Sequence, residues 1–203
     1  MHHDLHGLAL TASSQKSAAA FDRAVMGYVK FRADTPSYVA ATIENDPECF
    51  LAHCLQGYLA MISFKLANVP VARAAAERAR AQAAHAWERE RAHLAALEAW
   101  IADGLDRSLT IWEQILADYP ADILAFRVAH HVNFWLGRPR AMRLSAERIV
   151  PKWDRTLPGY GTVLSCLCFA TEECGDYAAA EPAGWDAIEL DPADFWAHMR
   201  SRM

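Results

Sequence analysis

Nine histidines and five cysteines are the residues from which chemistry would have to be built. His2, His3 and His6 gather around Asp4, a set of types that can ligate metal. They lie on a leading segment with no evident scaffold to fix a tetrahedral site, so no metal centre is expected there. His130 and His131 are adjacent. On a helix, adjacent side chains point about 100° apart, so this pair cannot chelate as an i, i+4 pair would. One is expected to pack inward and the other to face a surface. Cys166 and Cys168 diverge by about 200° on a helix, and no Cys-x-x-Cys accompanies them. With Cys49, Cys54 and Cys174 they form an odd set without paired spacing, read as free thiols in a reducing cytoplasm. The acidic Glu172, Glu173, Asp186 and Glu189 have no nucleophile pattern nearby. The chain contains no His-Glu-x-x-His, Gly-x-Ser-x-Gly, phosphate-binding loop or Gly-x-Gly-x-x-Gly. Residue types alone therefore predict no catalytic group, metal or cofactor.

Partners are narrowed by charge and hydropathy. The 203 residues carry a formal charge of −5, and the only lysines are Lys16, Lys30, Lys65 and Lys152. No cationic stripe of the kind that displaces counterions from nucleic acid is visible. No apolar run approaches the ~18 residues of a membrane span. The opening residues lack the basic and apolar regions of a signal peptide. A protein or peptide ligand remains as the expected partner, with neither nucleic acid nor membrane.

The elements that must position any site are helices. About a fifth of the residues are alanine, the best helix former and small enough for helices to approach closely. Pro47, Pro120, Pro158 and Pro192 each close one amphipathic segment and precede another, as expected where one helix ends and the next begins. Between them the spacing predicts helices over 18–31, then from Pro36, and over 50–66, 71–84 and 88–102. Further helices follow from an Asp106 cap to 117, over 123–136, from Pro139, and over 160–174 and 177–190. Ser13 or Ser14 can cap the first helix and Asp176 the last, and Gly104, Gly137 and Gly175 stop the helices before them.

Ten helices in sequence read as about five hairpins, and the step from Pro158 to Pro192 equals the 34-residue tetratricopeptide repeat (TPR) period. Counting Gly161 as repeat position 1, Cys168, Ala180, Ala187 and Pro192 fall at positions 8, 20, 27 and 32. Ala96, Ser108, Ile115 and Pro120 occupy those positions in an earlier hairpin. The expected fold is an all-α, TPR-like α-solenoid without any sheet, a single domain over 14–203 after an N-terminal extension over 1–13.

Four stretches carry a resemblance to a known family. They are Arg89-Glu90-Arg91-Ala92-His93-Leu94-Ala95-Ala96-Leu97-Glu98-Ala99-Trp100, Ala129-His130-His131-Val132-Asn133-Phe134-Trp135-Leu136-Gly137, Pro158-Gly159-Tyr160-Gly161, and Gly7-Leu8-Ala9-Leu10-Thr11-Ala12-Ser13-Ser14. Through them nearly the whole chain resembles the tetratricopeptide repeat protein 38 family. That resemblance implies a TPR-like fold and brings no assigned activity or catalytic residues. Members continue through further repeats, so the likeness implies a chain shortened at its C-terminal side.

In stacked TPR hairpins the first helix of each repeat lines a concave groove. The register selects Tyr58, His93, Trp100, Arg127, His131, Phe134 and Phe169 as groove residues, aromatic and basic types that dominate peptide interfaces. The expected function is a non-catalytic scaffold that binds a protein segment there. Two alternatives stand beside it: an accessory enzyme or regulator of secondary metabolism that binds a small molecule in the groove, and a truncated product without activity of its own. A terminal repeat needs a polar cap. Phe195, Trp196 and Met199 therefore predict an apolar C-terminal edge that either pairs with a second copy as a homodimer or lowers solubility.

Overall fold

The computed structural model describes residues 1–191. The chain forms two compact units, with the boundary in sequence between Ala125 and Phe126. The described residues are all-α apart from one pairing of two-residue strands. The expected apolar edge at Phe195, Trp196 and Met199 lies outside the described residues.

In the first unit β1 (His2–His3) pairs antiparallel with β2 (Ala9–Leu10). The expectation of no sheet is corrected here, and the cause is local. The Asp4 carboxylate accepts from the His6 and Leu8 amides at 3.0 and 2.9 Å, and Gly7 supplies a positive φ. Together they close a turn that brings the two strands side by side.

Six helices follow: α1 (Gln15–Val29), α2 (Thr35–Asn45), α3 (Phe50–Ile62), α4 (Val69–Ala81), α5 (Glu88–Ile101) and α6 (Leu105–Asp118). Ser14 caps α1 by accepting from the Ser17 amide. The predicted Asp106 cap moves: Gly104 holds the N-cap position of α6, and Asp106 lies inside its first turn. Consecutive helices pack as the pairs α1/α2, α3/α4 and α5/α6, with α3 also against α5. Alanine makes these approaches possible. Ala72, Ala75, Ala76 and Ala79 of α4 are all buried. At the α3/α5 crossing a Cβ on Gly57 would lie 2.4 Å from Leu97 Cδ2.

Helix α7 (Ile123–Trp135) begins at the end of the first unit and continues into the second. There follow α8 (Pro139–Ile149), α9 (Tyr160–Glu173) and α10 (Tyr177–Leu190), with α9 packed on both α8 and α10. Met142 meets Phe169 and Ala170 in one core cluster, and Leu164 meets Ala187 in another.

One turn recurs along the chain. The odd-numbered helices α1, α3, α5, α7 and α9 each end on a residue in the left-handed region: Phe31, Phe64, Asp103, Gly137 and Gly175. The amide of that residue donates three residues back, to Tyr28, Met61, Trp100, Phe134 and Glu172 respectively. This is the C-cap geometry for which glycine is the natural residue. At Phe64 it ends α3 at Ile62, short of the predicted 66.

Candidate functional site

The candidate residues separate into two environments. In the first unit Tyr58, His93 and Trp100 are buried and belong to a polar network rather than to an open surface. Helix α5 places Arg89 and His93 one turn apart on the same face. Arg89 Nη1 donates to Asp122 Oδ2 at 2.7 Å, and Arg89 Nη2 reaches Asp4 Oδ2 at 3.1 Å. His93 Nε2 lies 3.0 Å from the same Asp122 oxygen. A carboxylate only accepts, so Nε2 carries the proton. Asp122 Oδ1 accepts from the Ala125 amide at 2.8 Å and so holds the first turn of α7. Burial would raise this carboxyl, but the charges of His93 and Arg89 and these hydrogen bonds hold it far below the usual carboxylate range.

The other side of His93 faces Tyr58 of α3. The phenol donates to the His93 carbonyl at 2.8 Å, lies 3.1 Å from His93 Nδ1, and accepts from the Trp112 indole at 3.0 Å. Trp112 stands edge-on to both Tyr58 and Trp100, with centroids 5.6 Å apart in each case. Burial first, and then neighbouring Cys54, pushes the Tyr58 phenol well above its ordinary value. Tyrosine, imidazole and carboxylate in series have the composition of a proton relay. Tyr58 and His93 are sealed, however, and the network ties α3, α5, α6 and the start of α7 together. The adjoining cavity, lined by Asp4, Asp22, Arg89 and Asp122 among others, has a volume of only about 10 Å³, the size of one water molecule.

In the second unit Arg127 and Phe169 are buried, His131 is partly buried and Phe134 is exposed. Arg127, His131 and Phe134 follow one another on α7 at spacings of four and three, and Phe169 comes from α9. The Arg127 guanidinium is buried and donates through Nη1 to Cys166 Sγ at 3.6 Å. Phe134 and Phe169 are in ring contact at 5.4 Å. His131 Nε2 accepts from the Trp135 indole at 2.9 Å. Burial, then the Arg127 charge, pushes His131 down to about 4, and His130 beside it is also held well below its ordinary value. Both imidazoles are therefore neutral near pH 7, next to a fixed cation. Phe134 remains 40% exposed and Trp135 61%. The accessible part of this surface is Phe134, Trp135 and the partly buried, neutral His131, which suit aromatic or apolar groups of a ligand.

Sequence reasoning did not single out Arg89, Glu90, Asp122 or Trp112. Charged residues at a helix start look the same whether they are solvated or buried. The one usable signal was Asp122 directly before an apolar run, the position of an N-cap. Among the described residues no cluster of three or more His, Cys, Asp or Glu side chains is arranged to hold a metal ion. No helix of the described residues is long and apolar enough to cross a membrane. No family model matches the chain, and no solved structure matches it.

Proposed function

We propose that the chain is a TPR-like α-solenoid protein, related to the tetratricopeptide repeat protein 38 family, and acts as a non-catalytic scaffold for a protein or peptide segment. The repeat reading is supported by the recurring left-handed turn, whose residues follow one another at steps of 33, 39, 34 and 38. Packing at the repeat positions supports it as well. Ala96 and Ser108, at positions 8 and 20, meet directly, with Ser108 Oγ donating to the Ala96 carbonyl at 2.9 Å. In the last hairpin Cys168, Ala180 and Ala187, at positions 8, 20 and 27, are likewise buried, where only small side chains fit between helices.

The observation that carries the binding reading is the exposed Phe134 and Trp135 beside partly buried His131, with the buried Arg127 and Phe169 supporting them. Accessible aromatics beside a desolvated arginine are the usual composition of an interface hot spot. Tyr58, His93 and Trp100 serve the scaffold in this reading and the second unit serves the ligand. A peptide-display selection against the full chain tests it. Selected peptides should lose at least 10-fold in affinity on Phe134→Ala or Trp135→Ala. Peptides indifferent to both changes would place binding elsewhere, and failure to select any peptide would remove the reading.

A further inference from the structure

Residues 4–13 are held to the first unit in an unusual way. Nearly every polar tether comes from a charged side chain on a helix or at its end. The Leu5 amide donates to Asp22 Oδ1 of α1 at 3.1 Å. The Thr11 amide and hydroxyl donate to the two Glu90 oxygens of α5 at 2.8 and 2.6 Å. The Ser13 amide donates to Asp46 Oδ2, beyond the end of α2, at 2.8 Å. Arg89 of α5 takes the Asp4 carboxylate at 3.1 Å and the Ala9 carbonyl at 2.9 Å. Leu10 is the fully buried apolar anchor of the segment, and the small cavity lies beneath Leu5 and His6.

This is how a protein recognises a peptide segment: main-chain groups are read by fixed partners, with one apolar side chain buried and one charge paired. The receiving side chains are themselves held in place. Arg89 is anchored by Asp122, and Glu90 also accepts from the Trp87 amide at 2.9 Å. A receptor braced from behind in this way keeps its shape when its ligand leaves. Within itself the segment adds the Asp4 turn and its half of a two-residue strand pairing.

We propose that this cleft is a recognition site for a segment that turns back on itself, and that residues 4–13 are its displaceable ligand in cis. The partner segment that fits carries a carboxylate to meet Arg89, turns back on itself as residues 4–8 do, and six residues after the carboxylate presents a leucine or similar apolar side chain in place of Leu10. It competes with residues 4–13 for the same tethers. The site lies wholly in the first unit and does not rest on the reading of the second.

Hydrogen exchange on the unaltered protein gives the first test. The Leu5, Thr11 and Ser13 amides report latch opening directly, and should exchange at least 10-fold faster than hydrogen-bonded amides of α3 and α5. Equal protection would mean that the segment leaves only with global unfolding, which overturns the proposal. The second test uses a fluorescein-labelled peptide of residues 1–14 as probe. It should bind full-length Leu10→Ser at least 10-fold more tightly than the unaltered chain. Binding should be lost when the peptide itself carries Asp4→Ala and Leu10→Ser. Full-length Asp4→Ala, which keeps the apolar anchor, is run alongside in case Leu10→Ser loses its helical circular dichroism. Absence of probe binding by the folded variant, or equal binding by variant and unaltered chain, would sink the idea.

Discussion

Helices α5 and α7 carry the same series of positions into opposite circumstances. His93, Leu97 and Trp100 recur 34 residues later as Arg127, His131 and Phe134. In the first unit the series is closed over: His93 has a carboxylate on one side and a phenol on the other, and Trp100 is 5% exposed. In the second the corresponding Phe134 is 40% exposed, and burial, then the Arg127 charge, keeps two imidazoles neutral. A buried charge has to be compensated. Around Arg89 and His93 the compensation comes from Asp122 and Asp4, each supplied from outside α5. That binds distant segments together and leaves no surface. Repeat position alone therefore does not make a residue a ligand contact. What matters is whether neighbouring segments supply enough partners to seal it.

The largest expected effect breaks this contrast at its aromatic end. Trp100→Ala should cost about 3–5 kcal/mol in urea denaturation, as for a buried aromatic whose space cannot collapse. Phe134→Ala should cost only about 1 kcal/mol, mainly its ring contact with Phe169. Equal costs would mean that the two positions are equivalent after all.

A smaller effect concerns the turns. Asp103 holds φ +64 where the next hairpin, 34 residues on, has Gly137 at the same φ. Asp103→Gly should therefore stabilise the protein by up to about 1 kcal/mol, by removing the left-handed penalty. A loss of stability would show that the aspartate side chain contributes more than its backbone costs.

The smallest effect is a pH dependence confined to the first unit. Burial, reinforced by the charge of Asp4 and opposed by the Leu5 amide, raises the Asp22 carboxyl to about 6 from its usual 3.8. Folding thus favours its protonated form. That contribution is complete below pH 3.8 and is lost as pH rises through 6. Asp22→Asn, which keeps an acceptor for Leu5, should raise Tm at pH 7.5 by about 2 °C or less. The difference should vanish near pH 3.5. A variant less stable at pH 7.5 would reverse the sign.

Much of the helical architecture was legible in the sequence. Helix α10 (Tyr177–Leu190) runs as predicted, because Gly175, Asp176 and Pro192 mark its limits chemically. Helix α3 was overextended, because nothing about a phenylalanine announces the left-handed conformation that Phe64 adopts. That Arg127, His131 and Phe134 share one helix was legible from the helix expected over 123–136, whereas their choice as groove residues came from the repeat register. The sealing of Tyr58 and His93 did not follow, because Trp112 and Asp122 reach them from segments 54 and 29 residues away.

The sequence by itself determined how many helices follow one another and roughly where, which faces are apolar, and where small residues let helices cross. Those are consequences of local backbone preference and of a period read along one chain. Only the tertiary structure decided which charges are buried, which aromatics stay in water, and that residues 4–13 lie against α1 and α5 rather than extending into solvent. Burial depends on which segments arrive from elsewhere. Asp4 and Arg89 meet at 3.1 Å across 85 residues of chain, and no local pattern around either residue records that the other will be there.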